Sequence, residues 1–178
     1  MALGATIHRC ELQVSDLDRS YYNTHTLTIA QHPSETDQRM MARLLAFALH
    51  ADEGLSFTRG LSQEDEPDLW RMSADGRVIE WIETGQPDEK RLRKASAKSE
   101  QVTVLCYQPR AARVWWKQVA AKLERLDNLS VFLLPEDASE HLGDLASRNM
   151  SLQCTIQEDQ IWLSDADHTL DFALDRLR

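Results

Sequence analysis

Asp68-Leu69-Trp70-Arg71-Met72 and Val78-Ile79-Glu80-Trp81-Ile82-Glu83 are two strand-like runs, separated by Ser73-Ala74-Asp75-Gly76-Arg77. Asp-Gly between alternating apolar residues is a strong hairpin signal. With a two-residue turn at Asp75-Gly76, Ala74 pairs with Arg77, Met72 with Ile79, Trp70 with Trp81 and Asp68 with Glu83. The two-residue period of a strand then places the last three pairs on one face. Met, Ile and two Trp make it a packing face, yet it ends in two acids. Directly opposed residues have Cβ atoms about 5 Å apart, so the carboxylates repel. Partial burial would raise at least one pKa unless positive charge compensates. A divalent cation such as Mg²⁺, which takes one or two carboxylates, waters and a substrate phosphate, is one compensator. The plainer reading is that the strand ends fray, both acids reach solvent and a nearby Arg or Lys screens them.

The residues on either side sharpen this reading. Thr84-Gly85-Gln86 follows Glu83, and a bulge at Gly85 would swing Gln86 back toward the carboxylates. The spacing next predicts a helix over Pro87 to Lys98, with Lys90, Lys94 and Lys98 on one face. With Arg91 and Arg93 they form the densest basic cluster in the chain, which as a pattern alone is a solvated helix face. Upstream, Ser34 to Asp52 reads as a helix capped by Ser34, with Met40, Met41, Leu44, Leu45 and Ala48 at helical spacing. A strand at Leu55 to Thr58 and an acidic loop at Gln63 to Glu66 connect it to the hairpin. Thr6 to Val14 and Tyr21 to Ile29 form an earlier pair of strands around Ser15-Asp16-Leu17-Asp18. Downstream come a buried strand at Val102 to Tyr107, an amphipathic helix at Arg110 to Leu126 and a strand at Leu129 to Leu134. A polar helix at Glu136 to Arg148 and strands at Ser151 to Ile156 and Gln160 to Leu163 complete the pattern. Thr169 to Leu177 fits either strand or helix.

A chain of 178 residues, 42% hydrophobic and 28% charged, suits one globular domain over 1–178. No apolar run is long enough to span a bilayer, and Met1 to Arg9 lacks the apolar core of a signal peptide. Cys10, Cys106 and Cys154 are odd in number and far apart, which argues against a disulfide scaffold or zinc module and fits the cytoplasm. The net charge of -9 disfavours strong non-specific DNA binding, so a nucleic-acid role must rest on a local basic patch or a bound metal. The six histidines do not cluster, and neither a Gly-x-Ser-x-Gly elbow nor a phosphate-cradling glycine loop is present. His8 and Cys10 read as packing residues. Of Trp115 and Trp116, about 100° apart on a helix, one is expected in the core and the other at the surface.

Several strings together resemble one family. They are His32-Pro33-Ser34-Glu35-Thr36 with Arg39-Met40-Met41; Asp65-Glu66-Pro67-Asp68-Leu69-Trp70; and Trp81-Ile82-Glu83-Thr84-Gly85-Gln86-Pro87-Asp88-Glu89-Lys90-Arg91. With the Met-Ala-Leu start and Val114-Trp115-Trp116, they resemble the YaeQ family of bacterial proteins across the whole chain. That family looks like a divergent branch of the PD-(D/E)XK nucleases. The resemblance implies an α/β (α+β) fold: a mixed central sheet with flanking helices and an α-β-β-β-α-β core. An N-terminal hairpin and C-terminal strands would be additions to it. It further implies Asp68 and Glu83 as catalytic metal ligands and Glu35 as a third ligand. In that pattern a lysine is expected two residues past Glu83, where Gly85 stands. Gln86 would then contact water or phosphate, and Lys90 would replace the lysine, with Arg91 and Lys94 against substrate. The function so implied is Mg²⁺- or Mn²⁺-dependent hydrolysis of nucleic acid by metal-activated water. The alternative is an inactive nuclease fold that binds nucleic acid, weakly through the basic helix, or a protein partner.

Overall fold

The computed structural model describes residues 3–59 and 64–178. Among them the chain forms two sheets and four α-helices. Strand Thr6–Asp16 (β1) buries alternate residues from His8 to Asp16 and pairs antiparallel with Tyr21–Gln31 (β2). On its other edge β1 runs parallel to Asn149–Gln157 (β8), which continues antiparallel into Gln160–Ser164 (β9) and Thr169–Ala173 (β10). The N-terminal hairpin and the C-terminal strands, expected as additions to one central sheet, thus make a sheet of their own, of order β10-β9-β8-β1-β2. Each of these segments carries only one apolar face, and a lone hairpin is marginal in water, so the two ends of the chain stabilise each other.

The other sheet has the order β11-β7-β6-β5-β4-β3. Its strands are Leu55–Phe57 (β3), Leu69–Met72 (β4), Val78–Thr84 (β5), Ser99–Cys106 (β6), Leu129–Leu133 (β7) and Asp175–Arg176 (β11). Strands β3, β4 and β5 run antiparallel, whereas β5, β6 and β7 are parallel. The parallel steps are made by helices Glu89–Lys98 (α2) and Pro109–Val119 (α3), which with Trp81, Val102, Val104 and Val131 build one core. The opposite face of this sheet, through Leu69, Ile82 and Leu105, shares a second core with helix Asp37–Leu49 (α1) and the inner face of the first sheet. Helix α1 is wedged between the sheets, and every residue from Met40 to Ala48 is buried. Full burial of a side chain such as Met40, Met41, Leu44 or Leu45 is worth about 2 kcal/mol. No helix among the described residues is long and apolar enough to cross a membrane.

Local chemistry shifts several expected boundaries. Helix α1 is capped by Thr36, which accepts from Arg39 N at 3.1 Å, while Ser34 bonds the His32 ring instead. Helix α2 starts after Asp88, which accepts from Arg91 N at 2.7 Å, so Pro87 precedes the cap. The polar helix expected to reach Arg148 ends early: Glu136–His141 (α4) passes into the 3₁₀ turn Leu142–Leu145. Helix α3 likewise tightens into Ala120–Leu123. The undecided tail is strand, as β10 and β11. Gln63, at the head of the expected acidic loop, lies outside the described residues. Trp115 and Trp116 are both half-buried, with ring centres 5.7 Å apart, so neither is a free surface anchor.

The hairpin keeps the expected Trp70–Trp81 pair for an unexpected reason, while Met72 pairs with Val78 and not with Ile79. Its loop has three residues, not two: Ser73 N donates to Arg77 O at 2.9 Å, and Gly76 N to Ser73 O at 3.0 Å. Gly76 has φ +84°, the left-handed value that glycine accepts. A bulge at Arg71/Met72 then pairs Met72 with Val78 and leaves Ile79 over. The extra residue restores Trp70 opposite Trp81. A second irregularity falls at Asp68, whose N–H donates to Ile82 O at 3.0 Å ahead of the regular ladder.

Candidate functional site

Three acids are buried near one end of the second sheet: Asp68 is 5% exposed, Glu83 4% and Glu35 8%. Charges so far from water need partners, and each has an arginine. Arg39, on the first turn of α1, bridges two of the acids. Its Nη1 donates to Glu35 Oε1 at 2.8 Å and its Nη2 to Asp68 Oδ1 at 2.7 Å. Arg43, one turn on and itself buried, grips Glu35 through Nε and Nη2 at 2.8 and 2.7 Å and reaches Ala30 O at 2.9 Å. Glu35 stands one residue before the cap of α1, so this arginine clamp positions it and not the helix dipole. Asp68 Oδ2 accepts from Thr84 N at 2.7 Å and Thr84 Oγ1 at 2.9 Å, so the carboxylate uses three of its roughly four acceptor positions.

Glu83 has a different set of partners. Its Oε1 accepts from Trp81 Nε1 at 2.9 Å and from Arg91 Nε at 2.6 Å. Arg91 also donates to Glu64 O at 3.1 Å and Glu66 O at 2.6 Å. Glu83 Oε2 has no hydrogen-bond partner among the described residues. The irregular start of β4 turns Asp68 toward Thr84 and α1, while Glu83 follows Trp81 toward α2. The expectation that both acids share one face is therefore corrected, because a shift of one register step redirects a strand side chain. The acids remain close enough to feel each other. Burial first, and the Asp68 charge second, push the Glu83 carboxyl above its ordinary value despite Arg91 and Trp81. Burial disfavours the Arg39 cation, but Asp68 and Glu35 outweigh it and hold the guanidinium charged above its ordinary range.

The basic helix behaves differently from its pattern. Lys90 is exposed and has no ion-pair partner among the described residues; the side chain of α2 that reaches Glu83 is Arg91, expected at substrate. Lys94 and Lys98 pair with Asp65 of the acidic loop, so much of the cluster is neutralised within the chain. Gly85 takes φ +100°, as a strand-breaking turn at that point requires. Gln86 Nε2 is a buried donor without a partner among the described residues. A Cβ on Gly85 would touch the Tyr107 ring at 3.7 Å. Tyr107 faces the same charges: burial raises its phenol, Arg39 opposes this, and Asp68 and Glu35 add to it.

Arg39, Arg43, Thr84 and Tyr107 were not among the expected site residues. The four- and eight-residue steps from Glu35 to Arg39 and Arg43 were the available signal. Among the described residues no three His, Cys, Asp or Glu side chains gather as a metal cage. The oxygen donors of Asp68, Glu83 and Glu35 are of the type that Mg²⁺ takes, and Glu83 retains an open oxygen. A cation here would compete with Arg91 and Arg39. The three cysteines are free and buried, with thiols pushed up to about 12 by burial, which leaves them unreactive.

The comparisons with known proteins agree along nearly the full length. A family model described as YaeQ protein matches residues 1–174. The chain is 47% identical to the "Uncharacterized protein YaeQ" of Salmonella typhi over 174 residues, 98% of this chain and 96% of that protein. It is 45% identical to the protein of that name in Escherichia coli (strain K12), with the same coverage. A crystal structure of YaeQ protein from Xanthomonas axonopodis pv. citri superposes with a TM-score of 0.94 at 46% identity, covering 98% of both chains. That from Pseudomonas syringae gives 0.93 at 39% identity, covering 98% of this chain and 96% of that one.

Two outcomes follow from this electrostatic arrangement. Arg39→Met leaves Asp68 buried without its cation and is expected to cost about 3 kcal/mol in a denaturant melt, whereas Lys90→Met should stay within about 0.5 kcal/mol of wild type. The raised Glu83 carboxyl favours the native state in full below its unfolded-state pKa, and this contribution is lost as pH rises through the folded-state pKa. Glu83→Gln cannot ionise, so its stability relative to wild type should increase as pH is raised from about 4 to about 8. A relative decrease over that range would mean that the Arg91 pair outweighs burial.

Proposed function

The chain belongs to the YaeQ family, and from that premise we propose that it is a divalent-cation-dependent phosphodiesterase of PD-(D/E)XK type acting on nucleic acid. The observation that supports this most is the gathering of buried Asp68 and Glu83 at the ends of adjacent strands, with Glu35 joined to Asp68 through Arg39. Burying mutually repelling carboxylates is costly even with arginine partners, and buried acids with a shifted pKa cluster at functional sites. The element order α1-β3-β4-β5-α2-β6 is also the order of the proposed core. In this reading Asp68 would turn from Thr84 and Glu83 from Arg91 so that both could hold Mg²⁺ or Mn²⁺, with Glu35 beside them. The ion would lower the pKa of a bound water and polarise the phosphoryl oxygen. Arg39 and Arg91 neutralise the acids beforehand and, once released, present guanidinium donors to phosphate. The buried amide of Gln86 offers a hydrogen bond to water or phosphate, and unpaired Lys90 supplies charge beside it.

A second reading has its own support. Each acid is already matched by an arginine, the lysine position is Gly85, and Asp68 already accepts three hydrogen bonds. This favours a nuclease fold kept for binding nucleic acid or protein without hydrolysis. Melting curves and a cleavage assay separate the two. Millimolar Mg²⁺ or Mn²⁺ should raise the wild-type Tm, and Asp68→Asn should abolish that response. The same ions should support cleavage of single- or double-stranded DNA or RNA, reduced a hundredfold or more in Asp68→Asn. A Tm indifferent to both ions, with no cleavage of any of these substrates, would leave the binding module.

A further inference from the structure

Beyond the C-terminal end of α1 the two sheets part around a cavity of about 360 Å³. Leu49 stands here, about 15 Å along the helix axis from Arg39, so the cavity is separate from the carboxylate site. Leu49, Leu105, Phe132, Ile156, Ile161 and Leu174 give it an apolar wall, and polar and charged side chains make up the rest of its lining. Such a volume, with an apolar wall and convergent polar groups, is typical of small-molecule sites. What those polar groups have left to offer selects the ligand. The Thr103 hydroxyl lines the cavity on a residue only 3% exposed and has no hydrogen-bond partner among the described residues. Arg176 stands at the rim with its guanidinium over the Phe132 ring, 5.6 Å from the centroid. Its Nε is spent on Arg178 O at 3.1 Å, but its terminal nitrogens have no partner among the described residues.

The acids around the same opening are largely engaged. Asp16 accepts from Arg19 N and Nε, and Asp18 accepts from the backbone N–H groups of Glu158 and Asp159. The other lining groups are held too: Arg19 Nη1 donates to Ala51 O at 3.1 Å, and His50 Nδ1 lies 2.6 Å from Glu80 Oε1. Only Asp159 keeps an uncommitted carboxylate, at the exposed rim. The unused capacity is therefore an aromatic-backed guanidinium edge and a buried hydroxyl beside an apolar chamber. We propose that this cavity binds a small organic carboxylate with an apolar body, the carboxylate held by Arg176 and the body seated against Phe132 and Leu174. A planar guanidinium suits a carboxylate because its paired N–H groups match the two oxygens. Stacking on Phe132 holds that plane in place before the ligand arrives.

The test uses two probes of one shape and opposite charge. Phenylacetate and phenethylamine are titrated into the ¹⁵N-labelled full chain, with amide shifts read by NMR. Phenylacetate is expected to move the signals of Thr103, Phe132 and Leu174 saturably, while phenethylamine binds at least about tenfold more weakly. Arg176→Gln, an exposed substitution that leaves the core intact, should weaken phenylacetate about tenfold. The proposal is overturned if phenylacetate gives no saturable shift at those residues, if the amine binds as well as the acid, or if Arg176→Gln binds phenylacetate like wild type.

Discussion

Burying a carboxylate obliges the fold to bring a cation to it, and this chain meets that obligation for Glu35 and Asp68 at the start of α1 and for Glu83 at the start of α2. Arg39 joins Glu35 to Asp68, and Arg43 joins Glu35 to the carbonyl of Ala30. These bonds connect β2, α1 and the start of β4 in a single charged network. From Met40 to Ala48 helix α1 is buried on every side, so burial alone does not set its rotation. The network selects one rotation, because any other would strand a buried charge. Arg91 does the same for α2, linking Glu83 of β5 to the backbone of Glu64 and Glu66.

Local pattern made much of this fold legible. Alternation located β1, β2, β5 and β8, and the order of helix, three strands, helix, strand follows from changes of period. Pairing of Trp70 with Trp81 came out right through two compensating one-residue shifts, a three-residue loop and a bulge at Ile79. Asp-Gly is shared by both turn types, so the sequence carries no local mark to distinguish them. The joining of β1 with β8 spans most of the chain and leaves no short-range trace. Site residues divide in the same way. Asp68 and Glu83 stood out because acids on an apolar face are anomalous. Arg91 and Lys90 are neighbours of equal charge, and only the rotation of α2 decides which one meets Glu83. Thr84 and Tyr107 look like ordinary strand residues until the sheet places them beside Asp68 and Arg39.

The resulting molecule has chemistry at both ends of α1. At its start lie buried acids held by arginines; beyond its end lies an apolar chamber with Arg176 and Thr103. The first end bears the functional reading, and its arginines are central to it. As neutralising partners they make the acids tolerable without metal; as displaced groups they would become phosphate ligands. A crystal soaked in Mn²⁺ and measured for anomalous scattering addresses this directly. The account predicts a peak between Asp68 and Glu83, with the Arg91 guanidinium moved off Glu83. A clean map with Arg39 and Arg91 still bonded to their carboxylates, at a Mn²⁺ concentration in the millimolar range, would contradict it.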